Sequence, residues 1–505
     1  MFNACEYLLD RRVDAGDGNR LAITGPAGQL TYAQLLDRVQ RAATVLAAHG
    51  LAPEQRIVMF MSDSPDFVVL YLAAMRMGAI PVPVSTMLRA DGLAELLRDS
   101  RARFLAVTAE FKDLAAEAAA AAPELRATLL PAELDALISA AQPTPQVYRT
   151  TGDSPAFWLY TSGTTGKSKA AMHRHGSIPA VCETYGSQVL GITPDDRCLS
   201  AAKAFFAYGL GNSVLFPFSV GAATVLEPAP SRPELVAQRI QEFDVSLFFA
   251  GPTFFAGMLR ADLDPGPVKR TVRLAASAGE ALPRALYEKW TGHFGVDILD
   301  GIGMTELLHI FLSNREGQVR PGTTGVAVPG YDLKILDEAG LPVAQGTPGT
   351  LFVRGASTAT GYWSRYDASR TVFQGEWLRT GDTYVQDADG YYACLGRTGD
   401  MLKASGIWVS PAEVEGRLLR HEAVGQAIVV AGLDADGLEK PVAFVILSPG
   451  QSVTEADLIE FCRAGLPTFT RPRRVIFTDS YPSTATGKVR RVDLRHQATA
   501  ILATL

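Results

Sequence analysis

Residues 162–170 read SGTTGKSKA, a glycine-rich stretch ending in lysines behind the apolar run PAFWLY. Gly163 and Gly166 leave backbone N–H groups open to close approach by an anion. Ser162, Thr164 and Thr165 add hydroxyl donors, and Lys167 and Lys169 add charge. The pattern suits a phosphate cradle, although on this stretch alone a solvated polar hairpin fits equally well. A Walker loop needs glycine five positions before Gly166, and Thr161 stands there. The following KAAMHRHGS is a poor helix start, so the loop is expected to join two strands.

The elements that must position this loop are those of a large α/β chain. At 505 residues the chain exceeds the size of a single hydrophobic core, so at least two domains are expected. LTYAQLLDRVQRAATVLAAHG has apolar i, i+3, i+4 spacing and a terminal glycine, the pattern of a helix. RIVMFMS, AATVLEP and SLFFAGP read as buried strands, with RPELVAQRIQEF as a helix between the last two. Such alternation predicts parallel sheets covered on both faces. DLAAEAAAAAPEL is expected to be helical, and QPTPQ near 144 a connector.

From about residue 322 strand runs separated by Gly and Pro turns predict a small antiparallel or barrel-like unit. After LGRTGD comes an α+β unit of about a hundred residues. In it Ser410, Pro411 and Glu413 predict a capping box, and Thr454 with Asp457 starts a second helix. The fold class is α/β. A large N-terminal domain, residues 1–398, holds two α/β subdomains and a small β-barrel-like subdomain. A small mobile α+β domain, residues 399–505, follows.

A net charge of -6 gives no reason to expect nucleic acid or an anionic membrane as partner. The five cysteines are scattered without zinc or redox spacing, so reduced structural thiols are expected. FVVLYLAAMRMGAIPVPV is interrupted by Arg76, Gly78, Pro81 and Pro83, and reads as a buried helix running into a strand rather than a membrane span. The N-terminus lacks a signal-peptide pattern, and a cytoplasmic location is expected.

YTSGTTGKSKAAMHRH resembles the signature of the adenylate-forming superfamily, which includes acyl- and aryl-CoA ligases. Further segments of that family follow in order: SAGEALP at 277–283, GIGMTE at 301–306, WLRTGD at 377–382, GRTGDMLKASGIWVSPAEVE at 396–415 and PSTATGKVRR at 482–491. The resemblance spans almost the whole chain. It implies a two-step reaction in which a carboxylate attacks the α-phosphate of ATP, then a thiol displaces AMP, with ATP, Mg²⁺ and coenzyme A taking part.

On that resemblance the loop holds the departing phosphates through Ser162, Gly163, Thr164, Thr165, Gly166, Lys167 and Lys169. Thr305 contacts the α-phosphate and Glu306 helps bind magnesium, a hard cation that takes one or two protein carboxylates. Ala278, Gly279 and Glu280 line the adenine, with Asp300 and Gly301 in the same nucleotide site. Asp382 accepts from the ribose hydroxyls and Arg397 supports ribose or phosphate. Lys488 is the catalytic lysine of the first step, bridging carboxylate and α-phosphate; outside this context it is a solvated lysine in a turn. The hinge falls at Gly399, where the family has Asp or Lys, and Ser405, Gly406 and Ile407 line the pantetheine channel. Ser168 replaces the usual Pro of the phosphate loop and Ala170 the usual Gly.

KAFFAYGLGN at 203–212 and DGIGMTELLHIFLSN at 300–314 resemble benzoate-CoA ligases and their anthranilate and hydroxybenzoate relatives. Ala207 and Gly209, between Phe206, Tyr208 and Phe216, leave a flat slot for a ring. Gly303, His309 and Ile310 border it, with His309 near the acid's carboxylate or a ring substituent. Ordinary core packing is the alternative for each of these. The expected partner is a small aromatic acid; a homodimer is allowed but nothing requires it. A thiol on a separate carrier protein is the less favoured acceptor, since no carrier-like segment follows Lys488. Arg471, Arg473 and Arg474 could meet CoA, a carrier or only solvent. A binding module without turnover is the reading from another class, and the retained Thr305, Glu306, Asp382 and Lys488 argue against it.

Overall fold

The computed structural model describes residues 1–162, 168–404, 407–434, 437–482 and 489–502. The first long helix, Tyr32–Ala48, starts at Thr31, whose side chain accepts from the Gln34 N–H while the Gln34 side chain accepts from the Thr31 N–H. That reciprocal cap satisfies two donors that a helix start otherwise leaves open. Its buried Tyr32, Leu35, Val39, Ala42 and Leu46 lie on one face.

The apolar run seen in the sequence is a helix, Pro65–Arg76, leading to a strand, Ile80–Pro83. Ser64 caps the helix and Pro65 occupies its first turn. Arg76 does not turn outward. It is 1% exposed and paired through one nitrogen to both oxygens of Asp10 at 2.9 and 2.8 Å, while another donates to the Pro145 carbonyl at 2.6 Å. Both terminal nitrogens meet acceptors and so hold the charge inside, while Nε is buried without a hydrogen-bond partner.

Two sheets carry the large domain. A four-stranded parallel sheet runs Ile80–Pro83, Arg56–Phe60, Phe104–Val107, Ala127–Leu129. Its proline-containing strand lies at the edge, where a missing N–H does not break a ladder. A nine-stranded sheet runs Val326–Ala327, Ile310–Ser313, Ile298–Gly303, Leu274–Ser277, Leu247–Ala250, Arg197–Ser200, Ala223–Val225, Leu21–Thr24, Leu30–Thr31. Its centre is parallel as the alternation predicts, but both margins are antiparallel. Short returns cause this: the turn from Gly303 to Ile310 is too brief for a parallel crossover.

The strand-rich region forms a five-stranded antiparallel sheet from Tyr331–Leu336, Gly349–Gly355, Phe373–Gln374, Trp377–Gln386 and Tyr392–Arg397. Its ladder stays open, with Trp377–Gln386 as the common partner of three strands. The chain beyond builds its own core from Leu402, Val409, Val414, Val429, Val445 and Leu458. Three strands, Val424–Leu433, Glu439–Leu447 and Arg474–Phe477, pack there with helices Pro411–Leu418 and Glu455–Arg463, while Val430, Val442 and Phe444 of the same sheet form a second core with Leu494, Ala498 and Leu502 of helix Arg491–Leu502. Thr454 and Asp457 close a full capping box. Ser410 makes only half of one: its hydroxyl accepts from the Glu413 N–H at 3.4 Å and donates to the Leu395 carbonyl at 2.7 Å, tying the helix start to a strand of the larger domain's sheet. Among the described residues no helix is long and apolar enough to cross a membrane. All five cysteines are free thiols.

Candidate active site

The glycine-rich loop joins two antiparallel strands, Pro155–Ser162 and Ser168–Arg174. Ser168 takes its place in the second strand, opposite Ser162, so the missing proline leaves the hairpin intact. This second strand supports two distant segments. His173, stacked on Phe157 at 5.0 Å, donates from Nε2 to the Thr305 carbonyl at 2.7 Å. The Lys169 ammonium lies 5.4 Å from the ring centre of Tyr362. Burial holds His173 neutral, lowering it to about 4.

Thr305 and Glu306 open a short turn, Thr305–Leu307, between the strands Ile298–Gly303 and Ile310–Ser313. Glu306 is buried, and the Tyr362 hydroxyl donates to its Oε1. The Arg397 guanidinium bears on the same Tyr362 phenol, opposing the rise that burial and Glu306 impose. Arg397 pairs through Nε with Asp382 at 3.0 Å, and the two are cross-strand partners. Lys169, Thr305, Glu306, Asp382 and Arg397, scattered over the sequence, therefore converge around Tyr362.

The strand Leu274–Ser277 ends beside Asp300, its register partner being Ser277. Ala278, Gly279 and Glu280 form the turn that follows, with Gly279 at φ +99°, where a side chain is strained. Glu280 is exposed and accepts from the Thr253 hydroxyl at 3.3 Å. Asp300 is buried; Oδ2 accepts from the Leu282 N–H at 3.4 Å and Oδ1 has no partner. Burial pushes its carboxyl up to about 8, against the lowering pull of the Leu282 N–H, the Ser277 hydroxyl and the Gly301 N–H. Gly301 and Gly303 lie in the same strand.

His309 stands at the centre of an aromatic group, with ring centres 4.5 Å from Phe216, 5.2 Å from Tyr185 and 5.4 Å from Tyr208. It reaches there through Leu308, whose φ of 66° and ψ of -46° let the His309 N–H bond the Leu307 carbonyl at 2.8 Å. This is a γ-turn of the rare, strained hand. Gly211 makes the room: a Cβ there would stand 2.3 Å from His309 Cδ2. Gly209 is small for a backbone reason, since a Cβ would stand 2.0 Å from the Lys203 carbonyl. Phe206 pairs with Phe205 at 4.5 Å rather than with the group around His309. Ala207 is half-buried at the start of the turn Ala207–Leu210, and Ile310 is buried across from Gly303.

At the domain junction Arg495 donates to the Gly399 carbonyl at 2.5 Å and pairs with the Asp400 carboxylate. Of the basic cluster, Arg474 is tied to Glu455 at 2.6 Å and Arg471 donates to the Leu466 carbonyl at 3.0 Å, leaving Arg473 the exposed member. Gly163, Thr164, Thr165, Gly166, Lys167, Ser405, Gly406 and Lys488 lie outside the described residues, as do the side chains of Ser162 and Ile407. Tyr362, Tyr185 and Asn212 escaped the sequence reading. A lone Asn inside the apolar run AYGLGNSVLFPF is the signal that could have revealed the last.

A nucleotide-handling enzyme of two unequal domains is the class that this fold and site define. The chain belongs to the AMP-binding enzyme family, matching it over residues 9–363 and matching the C-terminal domain of AMP-binding enzymes over residues 413–488. It is 40% identical to a benzoate–CoA ligase of Thauera aromatica, over 98% of this chain and 96% of that one. It is equally 40% identical to a 4-hydroxybenzoate–CoA/benzoate–CoA ligase of Rhodopseudomonas palustris, over 98% and 94%. Among solved structures an anthranilate CoA ligase in complex with anthranoyl-AMP is similar at a TM-score of 0.95, with 36% identity and coverage of 99% of this chain and 98% of that one.

Proposed function

We propose that this chain is an aryl-CoA ligase. In the first step a carboxylate oxygen of a benzoate-type acid attacks the α-phosphorus of ATP, and pyrophosphate leaves. In the second the sulfur of coenzyme A attacks the carbonyl carbon of the aryl-adenylate, and AMP leaves with the broken C–O bond's electrons. The observation that carries this reading is the convergence around Tyr362 of Lys169, Thr305, Glu306, Asp382 and Arg397, with His309 and its aromatic group three residues along the chain from Glu306.

The roles follow from what each group can do. The loop at 162–169 holds pyrophosphate by N–H, hydroxyl and ammonium groups. Thr305 faces the α-phosphate, and Asp382, a buried acceptor held by Arg397, takes the ribose hydroxyls. Ala278, Gly279, Glu280, Asp300 and Gly301 border the base. Among the described residues no three metal-binding side chains gather as a cluster, so a cation would use Glu306 and complete its shell with phosphate oxygens and water. Magnesium fits such a donor set, and when bound it neutralises phosphate charge. Lys488 neutralises charge developing between carboxylate and α-phosphate.

The domain boundary is placed at 398/399, with Gly399 as the hinge for reorientation between the steps and residues 405–407 along the path of the thiol arm. A protein using ATP and CoA works where both pools are, in the cytoplasm. The test is mass-spectrometric detection of thioester from ATP, magnesium, CoA and single aromatic acids, with octanoate as control. Aryl thioester without octanoyl thioester is the expected result. Aryl-adenylate without thioester would move the acceptor to a carrier protein, and no product from any aromatic acid would end the reading.

A further inference from the structure

We infer that the acid this enzyme activates carries an N–H or O–H group on its ring, received by Nδ1 of His309 with the Asn212 amide beside it. This rests on the aryl-CoA ligase reading and narrows it.

The argument begins with the tautomer. His309 Nε2 lies 3.3 Å from the Tyr208 carbonyl oxygen, which can only accept, so Nε2 carries the proton. Burial keeps the imidazole neutral, lowering it to about 3. Nδ1 is then a bare acceptor, and it has no partner although His309 is 2% exposed. The Nε2–Cδ2 edge faces Tyr208 and Gly211, so Nδ1 lies on the opposite side of the ring from them.

Its neighbours are in the same condition. Asn212 is fully buried, and neither its amide nitrogen nor its oxygen has a partner. One residue from Gly211 and four from Tyr208, it lies close enough for its amide to bear on the Tyr208 phenol. Tyr208 has spent its own hydroxyl on the Ala276 carbonyl at 2.8 Å. The buried Tyr185 hydroxyl is also without a partner. Each such group destabilises the fold when nothing answers it. The strained γ-turn at Leu308 adds to that cost and holds His309 in this place.

The chemistry of the group selects its ligand. An unpaired imidazole lone pair calls for a donor, which an amino or hydroxyl substituent supplies and an unsubstituted ring does not. The Asn212 amide presents both a donor and an acceptor, so it serves either substituent. A site built for such a bond rejects an analogue that lacks it far more strongly than volume alone would.

The test is kcat/KM for thioester formation by the full-length enzyme. Amino- and hydroxybenzoates substituted at each ring position are compared with benzoate and with the methylbenzoate of the same position. The best donor-bearing acid should exceed its methyl counterpart by about 100-fold, mostly through KM. Asn212→Leu should shrink that ratio to within about fivefold. Benzoate or a methylbenzoate matching every donor-bearing acid in the wild-type enzyme would overturn the inference and leave the aryl-CoA ligase reading standing. No thioester from any aromatic acid would overturn both. The wild-type ratios decide the matter even where Asn212→Leu fails to fold.

Discussion

Tyr362 donates its hydroxyl proton to Glu306, joining the loop after strand Gly349–Gly355 to the turn that follows strand Ile298–Gly303, 56 residues earlier. Lys169 and Arg397 bear on the same phenol ring from two other elements. Tyr362 thereby fixes the direction of the acid proposed to bind magnesium. Hydrogen bonds to charged groups contribute about 1.5–3 kcal/mol. Tyr362→Phe should slow adenylate formation roughly 10- to 100-fold and raise half-saturating magnesium, with the KM for the aromatic acid unchanged. Pyrophosphate release titrated with magnesium measures both; an unchanged magnesium curve would reduce Tyr362 to a packing residue.

Asp382 is buried, while Arg397 is half-exposed beside it. Asp382→Ala removes the proposed ribose acceptor and frees the guanidinium. The KM for ATP should rise on the order of 10- to 100-fold, as expected for losing charged hydrogen bonds. The KM for the acid should stay within twofold, about the limit of such comparisons. Steady-state kinetics with each substrate varied in turn checks the split.

Asp300 gives the alkaline side of the stability profile a direction. Burial raises its carboxyl from the ordinary 3.8 to about 8. A raised folded value means that the stabilising contribution is complete below 3.8 and is lost as pH rises through about 8. Asp300→Asn removes this loss. Its stability relative to wild type should grow by on the order of 1 kcal/mol per pH unit between pH about 5 and 8, then level off. Urea unfolding of the large domain across that range measures the slope, and parallel profiles would contradict the assignment.

Arg495 grips the turn at the proposed hinge through the Gly399 carbonyl and the Asp400 carboxylate. Nothing lies within 4 Å of a Cβ built on Gly399, so the grip comes from its carbonyl and its neighbour. Arg495→Ala should unsettle this arrangement, changing the ratio of the adenylate-forming rate to the thioester-forming rate by about tenfold. Rapid-quench measurement of the two half-reactions reads the ratio. Equal effects on both would assign Arg495 to domain stability alone.

Much of the molecule could be read before folding it. The parallel strands, the helix Tyr32–Ala48, the hairpin around the glycine-rich loop and the separate C-terminal core follow from periodicity, caps and turn residues, which act within a few residues of one another. The antiparallel margins of the large sheet and the half-formed cap at Ser410 did not, because each depends on a partner from another part of the chain. The same division runs through the site: motif order named Thr305, Glu306, Asp382 and Arg397, but gave no sign of the tyrosine between them.

The ordered segments carried the resemblance that by itself pointed to the family, to two-step chemistry and to an aromatic substrate. Only the tertiary structure decided where Arg76 finds its acceptors, which tautomer His309 adopts, and that Asn212 is buried without a partner. The physical reason is that burial and hydrogen-bond satisfaction are properties of pairs brought together by folding, and no single residue type encodes them.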